Sequence, residues 1–158
     1  MAKKRKSNGD RKKSADGEVD LFAQLAATAR SSRTLLSRHL LDVGLYAGQD
    51  SVILFLDAND GQPLSAIAAE LGVRAPTMTK TISRLAAQGF VEKRESETDG
   101  RQSRVFLTTE GQEAVKAVRK AVKRSQKLAT EGLAAKDVKT LGKLLKKIDQ
   151  NLIAANGK

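Results

Sequence analysis

The chain has 158 residues, a formal net charge of +11, no cysteine and one histidine, His39. The lack of cysteine excludes disulfide bonds, thiolate metal sites and thiol-based redox sensing. A single histidine disfavours an internal catalytic metal site, so we expect no metal and no cofactor. A basic balance favours a polyanionic partner, most often nucleic acid, with an anionic membrane surface as the alternative.

No apolar run approaches the roughly 20 residues that span a bilayer. The lysine-rich N-terminus is not followed by the apolar stretch of a secretion signal. We therefore expect a cytoplasmic protein without membrane contact. Residues 1–13 carry seven Lys and Arg, and residues 110–158 carry twelve. Residues 1–17 lack apolar periodicity, which predicts a disordered basic arm that either adds phosphate contacts or acts as a solubilising tail.

Two helices are predicted before the central part of the chain. Leucines recur at steps of three, four and seven over residues 18–43, which predicts an amphipathic helix that starts at Glu18 or Asp20 and stops at Gly44. An apolar run over residues 50–58 predicts a second, short helix, capped by Asp50 or Ser51.

The next segment predicts a helix-turn-helix. Ser65 is expected to cap a short helix over residues 66–71, and Gly72 suits the left-handed position after a helix. A second helix is predicted from Ala75 to Gln88, because Pro76 suits a first helical turn. Two short helices around a tight turn with glycine are typical of this motif.

The second helix is predicted to have one apolar and one polar face. Met78, Ile82, Leu85 and Ala86 should pack against the first helix and the turn, at Ile67, Leu71 and Val73. The polar face has short hydroxyl side chains and two cations, which suits a major groove about 12 Å wide. The alternative is an ordinary solvated face. The polar residues are Pro76, Thr77, Thr79, Lys80, Ser83 and Arg84.

A β-hairpin with a long charged tip is predicted after these helices. Residues 90–94 and 104–107 are the predicted strands, and the connection between them exceeds the usual two to five residues. Arg94, Arg101 and Arg104 are candidate DNA contacts, with Arg101 placed in the minor groove. Asp99 is expected to hold an arginine in place. A surface ion-pair cluster of little energetic value is the alternative.

Two further helices are predicted at the C-terminal end. Thr108 or Thr109 should start the first, and Thr109 with Gln112 predicts a capping box. Gly132 is expected to interrupt the helical segment. The last helix has a regular apolar stripe at Val138, Leu141, Leu144, Leu145, Ile148 and Leu152.

These motifs together resemble the MarR family of regulators. The resemblance rests on residues 64–73 (LSAIAAELGV), 77–85 (TMTKTISRL) and 88–91 (QGFV). It extends to the wing at residues 99–101 (DGR) and to the strand-to-helix junction at residues 107–111 (LTTEG). Arg74 and Ala75 depart from the small polar cap and polar residue that members often have there.

The resemblance implies a mainly α fold with a small β-hairpin wing, a winged helix-turn-helix flanked by N- and C-terminal dimerisation helices. It implies a homodimer that binds a pseudo-palindromic operator in double-stranded DNA. The implied parts are a basic arm (1–17), an N-terminal dimerisation helix (18–45), the DNA-binding domain (46–108) and C-terminal dimerisation helices (109–155). Implied dimer residues are Leu21, Leu25, Leu141, Leu144, Leu145, Ile148 and Leu152. Candidate DNA contacts are Ser65, Arg74, Pro76, Thr77, Thr79, Lys80, Ser83, Arg84, Arg94, Arg101 and Arg104.

Members of this family often bind small aromatic acids between the dimer base and the winged domain, and binding then releases DNA. By resemblance, Arg38, His39 and Tyr46 are candidate contacts for such an effector. The alternative is that His39 is an interface histidine with its hydrogen bonds satisfied and that Tyr46 only packs.

Four function classes follow from these patterns. The first is a sequence-specific transcriptional regulator, a repressor by resemblance. The second is an architectural protein that coats DNA with little sequence preference, which the basic arm and basic C-terminal helices support. An enzyme is disfavoured because the sequence has no nucleophile–base pair, phosphate-binding glycine loop or metal spacing. A pure dimerisation or adaptor module is the fourth.

Overall fold

The computed structural model describes residues 20–95 and 103–157, and within them the chain forms six helices and one three-stranded sheet. The first half contains α1 (Leu21–Leu41), α2 (Gln49–Ala58), β1 (Gln62–Pro63), α3 (Leu64–Glu70) and α4 (Ala75–Ala87). The second half contains β2 (Val91–Glu95), β3 (Ser103–Leu107), α5 (Thr109–Ala129) and α6 (Ala135–Asn156). The mainly helical fold with a small wing is confirmed. The predicted arm, Asp99 and Arg101 lie outside the described residues.

The helix starts correct three sequence-based predictions. Helix α2 begins after Gly48 without a side-chain cap, and the Asp50 carboxylate instead accepts a hydrogen bond from the Gly48 amide at 2.7 Å. Helix α3 begins at Leu64 after Pro63, so Ser65 lies inside the first turn and is not its cap. Of the two starts predicted for α5, Thr108 is confirmed as the cap, since its hydroxyl accepts from the Gly111 amide at 3.0 Å, and the predicted box of Thr109 with Gln112 is wrong. In all three cases a neighbouring residue already has the extended or left-handed backbone that a cap requires.

Of the two starts predicted for the first helix, Asp20 is confirmed. The Asp20 carboxylate accepts from the Ala23 amide at 3.0 Å, which satisfies one of the free N–H groups at the start of α1.

The turn between α3 and α4 has the predicted geometry. Gly72 has φ of +61°, a conformation that only glycine adopts without strain. The amide of Val73 donates to the Ala68 carbonyl at 2.9 Å, which closes the end of α3. Because this turn is tight, the two helices meet at a fixed angle and share one core.

The core is continuous from the helix-turn-helix to the C-terminal part of the chain. Met78, Ile82 and Leu85 of α4 are at most 2% exposed, and Ile67 of α3 lies in the same cluster. Val115, Val118 and Ala121 of α5 belong to it as well, as do α2 residues. The predicted packing of the two short helices is therefore confirmed.

The sheet contains one strand that the sequence did not indicate. Strand β1 is two residues long and pairs antiparallel with β3, opposite Val105 and Arg104. Strands β2 and β3 pair from Val91 opposite Leu107 to Glu95 opposite Ser103. A two-residue strand that contains proline carries no alternation to detect, so its existence depends on the neighbouring strand.

The last helix contributes no buried residue to this chain. Helix α5 ends at Ala129, and Gly132, with φ of +82°, lies in the connection to α6. This agrees with the interruption of the helical segment predicted at this glycine. Four of the six apolar residues predicted in the stripe of α6 are exposed, with Leu144 at 57% and Leu141 at 45%, and the other two, Val138 and Ile148, are half-buried. A regular apolar face without a partner in the same chain is a candidate interaction surface.

Candidate nucleic-acid interface

The candidate DNA-binding surface, which we call the reading surface, lies on the exposed side of α4, the reading helix. Its other side is held by Met78, Ile82 and Leu85, which are buried against α3 and the rest of the core. That packing orients the polar side chains predicted for DNA outward, and all six are exposed. They are Pro76, Thr77, Thr79, Lys80, Ser83 and Arg84.

The chemistry of this surface combines acceptors, small groups and free cations. The Thr79 hydroxyl donates to the Ala75 carbonyl at 2.9 Å, so toward a ligand it offers its lone pairs and its methyl group. Within the part of the chain that the structure describes, neither Lys80 nor Arg84 takes part in a salt bridge. Both cations are therefore available to a phosphate or a base edge.

The start of α4 is open toward solvent. Arg74 occupies the N-cap position, and no side chain there accepts from a backbone amide. Pro76 lies in the first turn, where its missing N–H costs nothing. The positive end of the helix dipole therefore remains uncompensated by a side chain, and this favours a nearby phosphate.

The far end of α4 is tied to the α1–α2 connection by a series of amide hydrogen bonds. Gln49, which is 3% exposed, donates from its side-chain amide to Oε1 of Gln88 at 2.7 Å. Its own Oε1 accepts from the backbone amide of Tyr46 at 2.9 Å. Gln88 in turn donates to the Gly44 carbonyl at 2.8 Å. These contacts, which we call the amide relay, position the end of α4. Sequence reasoning missed them because the partners are 39 and 44 residues apart.

The two wing arginines that the structure describes lie directly opposite each other on β2 and β3. Arg94 pairs with Glu92 and lies over the Phe106 ring at 4.5 Å. Arg104 donates to the Gly61 carbonyl at 2.9 Å. Both side chains therefore contact the base of the wing, and both are exposed on the same face of the sheet.

Comparison with known proteins gives a consistent result. The sequence profile of the MarR family matches residues 47–102. YybA of Bacillus subtilis, an uncharacterised HTH-type transcriptional regulator, is 23% identical over 133 residues, which cover 84% of this chain and 89% of YybA. YwoH of the same organism, also an uncharacterised HTH-type regulator, is 36% identical over 92 residues, or 58% of this chain and 66% of YwoH.

A crystal structure of mutant MarR from E. coli complexed with operator DNA has a TM-score of 0.77 to this chain at 25% identity. The match covers 82% of this chain and 94% of that one. The chain belongs to the MarR family. It is thus a winged helix-turn-helix transcriptional regulator, and the MarR family is not a family of enzymes.

This MarR-family chain also has a cavity of about 640 Å³ behind the reading helix. One wall is formed by Thr77, Met78 and Thr81 of α4, and another by α5 residues that include Ser125. Arg33 of α1 provides the cavity with a cation. The volume lies within the range of small-molecule sites, which is about 300–1,000 Å³.

None of the residues predicted for an effector lines this cavity. Arg38 lies about half a turn round α1 from Arg33 and Leu36, which do line it, and is exposed. Tyr46 is 59% exposed. His39 is adjacent, because its Nδ1 is 2.7 Å from Ser125 Oγ.

The Ser125 hydroxyl contacts both His39 and its own helix. Its oxygen lies 2.7 Å from His39 Nδ1 and 2.9 Å from the Ala121 carbonyl oxygen. His39 therefore joins α1 to α5 through Ser125, next to the cavity. Arg33, Ser125 and the buried Asp50 carboxylate were missed as cavity residues, because no spacing in the sequence joins three different helices.

Residues 20–95 and 103–157 contain no cluster of His, Asp and Glu side chains that could hold a metal ion. No helix in this part of the chain combines the length and apolar character needed to cross a bilayer.

Proposed function

We propose that this regulator is a homodimeric, sequence-specific repressor that places α4 in the major groove of an operator. The observation that carries the proposal is the two-sided build of α4. Three buried side chains hold one face, and the opposite face offers short hydroxyls with two cations outside any described salt bridge. The mutant MarR of E. coli, which shares this fold, has been crystallised with operator DNA.

The proposed contacts fall into three groups. Thr79, Lys80, Ser83 and Arg84 face base edges and adjacent phosphates, since they share the exposed side of α4. The second group lies near the starts of α3 and α4 and contacts the phosphate backbone of the DNA; it contains Ser65, Arg74, Pro76 and Thr77. The third group lies in the wing and contacts the minor groove or its edges; it contains Arg94, Arg101 and Arg104.

The proposed dimer uses the apolar face of α6 together with the start of α1. Leu21 and Phe22 of α1 are 47% and 69% exposed, and the leucines of α6 are exposed as well. Covering these side chains with a second copy removes apolar surface from water, and each Å² of buried apolar surface stabilises the dimer by about 25 cal/mol of free energy. A two-fold pair would also present two α4 helices to two half-sites of one operator.

The decisive experiment is selection of bound fragments from the source genome, followed by competition binding. The proposal expects one pseudo-palindromic site that is held at least about a thousandfold tighter than random duplex. A ratio near one would instead support an architectural protein that coats DNA. No binding to any duplex at low salt would leave an adaptor module as the remaining class.

The proposed effector is a small aromatic acid in the cavity behind α4. The cavity touches α4 directly, so an occupant that fits one position of that helix better than another shifts the population of reading-competent dimers. Arg33 would pair with the carboxylate. A hydroxybenzoate series should raise Tm and release operator, and Arg33→Met should abolish both effects. Arg30→Met, on the exposed part of α1, is the matched control.

A further inference from the structure

The positive charge of this protein is not concentrated in its reading domain. Residues 46–108 contain seven Lys and Arg against eight Asp and Glu, a net charge of −1. Residues 109–157 contain eleven Lys and Arg against five acids, a net charge of +6. Phosphate binding depends on the local density of cations. The DNA contacts proposed for residues 46–108 therefore assign no role to residues 109–157, the most basic described part of the chain.

The cations of α5 form an ordered line. Lys116, Lys120, Lys123 and Lys127 are spaced four, three and four residues apart, so they share one face of the helix. We call this line the α5 stripe; it is roughly 17 Å long at 1.5 Å per residue. All four side chains are exposed, and the segment from Ala114 to Thr130 contains no Asp or Glu.

The direction of the α5 stripe separates it from the reading surface. The opposite face of α5 is buried at Val115, Val118 and Ala121, and its Ser125 lines the cavity whose other wall is α4. The stripe and the exposed face of α4 therefore point away from each other, on either side of that cavity. The α5 stripe and the exposed face of α4 are therefore separate surfaces of the chain.

We propose that the α5 stripe is a second duplex-binding surface, which captures a separate DNA segment while α4 holds the operator. The inference rests on the proposed function, since it takes the first duplex to be bound through α4. A duplex carries one phosphate for each roughly 1.7 Å of its axis, so a stripe of this length faces several phosphates. Capture is independent of sequence, because the four lysines contact phosphates of the DNA backbone and not base edges.

An anionic membrane is the rival occupant, and the packing of α5 disfavours it. A helix that lies on a bilayer inserts its apolar face among the lipids. The apolar face of α5 is buried in the core of the chain, so only the lysines are offered. Helix α6 repeats the pattern, with Lys139, Lys143 and Lys146 on the side opposite its leucines.

The test compares the full-length protein with the variant Lys116→Gln, Lys120→Gln, Lys123→Gln, Lys127→Gln. Glutamine has nearly the helix propensity of lysine, so Tm should not change. Bead-bound random-sequence duplex is incubated with the protein and then with a fluorescent duplex. The wild type should retain the second duplex. The variant should retain at least about tenfold less of it, because each lost phosphate contact lowers the binding constant by a further factor. The affinity for the first duplex should change much less.

A second measurement is independent of the reading surface. Combining the quadruple variant with Lys80→Gln and Arg84→Gln should lower the slope of log affinity against log salt for random duplex by about 3 to 4 units relative to the α4 variant alone. An unchanged slope would overturn the α5 proposal and leave the role of α4 untouched. Unchanged operator affinity in the Lys80→Gln, Arg84→Gln variant, with the α5 effect intact, would instead count against the role of α4.

The control removes four charges from the arm, through Lys3→Gln, Lys4→Gln, Lys6→Gln and Lys12→Gln. The α5 proposal expects this variant to keep capturing the second duplex. Equal loss in the arm variant and the α5 variant would show that overall charge alone matters, which contradicts a local surface. Capture of phosphatidylserine vesicles but not of duplex by the wild type would also overturn the proposal, in favour of a membrane.

Discussion

The winged region and the C-terminal helix α6 of this chain differ in burial and in net charge. Residues 46–108 bury their own core, with Ile67, Met78 and Ile82 almost fully enclosed, yet carry hardly any net charge. Helix α6 buries nothing within the chain and is strongly basic on its polar side. The contrast teaches that the exposed face of α4 is fixed by packing within one chain, whereas the apolar face of α6 has no partner among the described residues and is therefore the surface proposed for the dimer.

Helix α5 joins the two regions. It packs on α1, α2 and β3, and its residues from Val122 to Ala129 border the cavity behind α4. A displacement of α5 would therefore alter both the cavity wall and the packing of α1. Four predictions test this division between the two regions.

The largest effect is expected from charge on the apolar face of α6. The pair Leu144→Glu and Leu145→Glu should convert the dimer to a monomer and lower operator affinity by about a hundredfold or more, because linked half-site binding is lost. Analytical ultracentrifugation and gel shift measure the two effects. The double change Gln150→Glu and Lys146→Glu adds charge to the opposite face and should leave a dimer. A variant that remains a tight dimer would show that α6 is not the interface.

The next effect concerns the junction where α5 meets the winged region. A Cβ at Gly111 would lie 2.0 Å from the Phe90 carbonyl oxygen, so Gly111→Ala must displace backbone. We expect a loss of about 3 kcal/mol of unfolding free energy, measured by urea denaturation. Gly142→Ala in α6 meets nothing within 4 Å and should stabilise its helix by up to about 1 kcal/mol. Equal behaviour of both variants would contradict the close approach.

A smaller effect is expected on the reading surface itself. Lys80→Ala should lower operator affinity roughly tenfold and reduce the salt slope by about one unit, as one phosphate contact is lost. The melting temperature should not change, because the side chain is exposed. Lys93→Ala, on an exposed position of β2, is the matched control. If both changes weaken binding alike, α4 has no special part in the contact.

The smallest effect is expected from the amide relay. Gln88→Leu removes the acceptor of buried Gln49 and the donor to Gly44, at a cost of about 1 kcal/mol. If the relay positions α4, operator affinity should fall severalfold while random-duplex affinity stays constant. The exposed Gln112→Leu on α5 is the control. Parallel losses for operator and random duplex would show that the relay is merely structural.

Periodicity accounts for the parts of the fold that were predicted correctly. Met78, Ile82 and Leu85 recur at helical spacing, and their burial followed from that spacing and from the glycine turn before them. The cap positions were the weaker part of the prediction. Ser65 is a good capping residue by type, yet the extended backbone of Pro63 determines where α3 starts, and of the two predicted starts of α5 the extended backbone of Thr108 makes it the cap.

The site was predicted unevenly for a related reason. The exposed face of α4 lies within one helix, so residues such as Thr79 and Arg84 could be grouped by spacing alone. The cavity depends on side chains from four helices, and the residues chosen for it, Arg38, His39 and Tyr46, do not line it. The pairing of His39 with Ser125 joins positions 86 residues apart.

By itself, the sequence determined everything that repeats locally: the helices, the tight turn at Gly72, the two-faced reading helix and the distribution of charge. These follow from backbone preferences and from apolar spacing within a few residues. The tertiary structure alone decided which distant groups meet: the two-residue strand β1, the amide relay, the cavity and the opposed directions of α4 and the α5 stripe. Such contacts depend on how whole elements pack, and no short stretch of sequence specifies that packing.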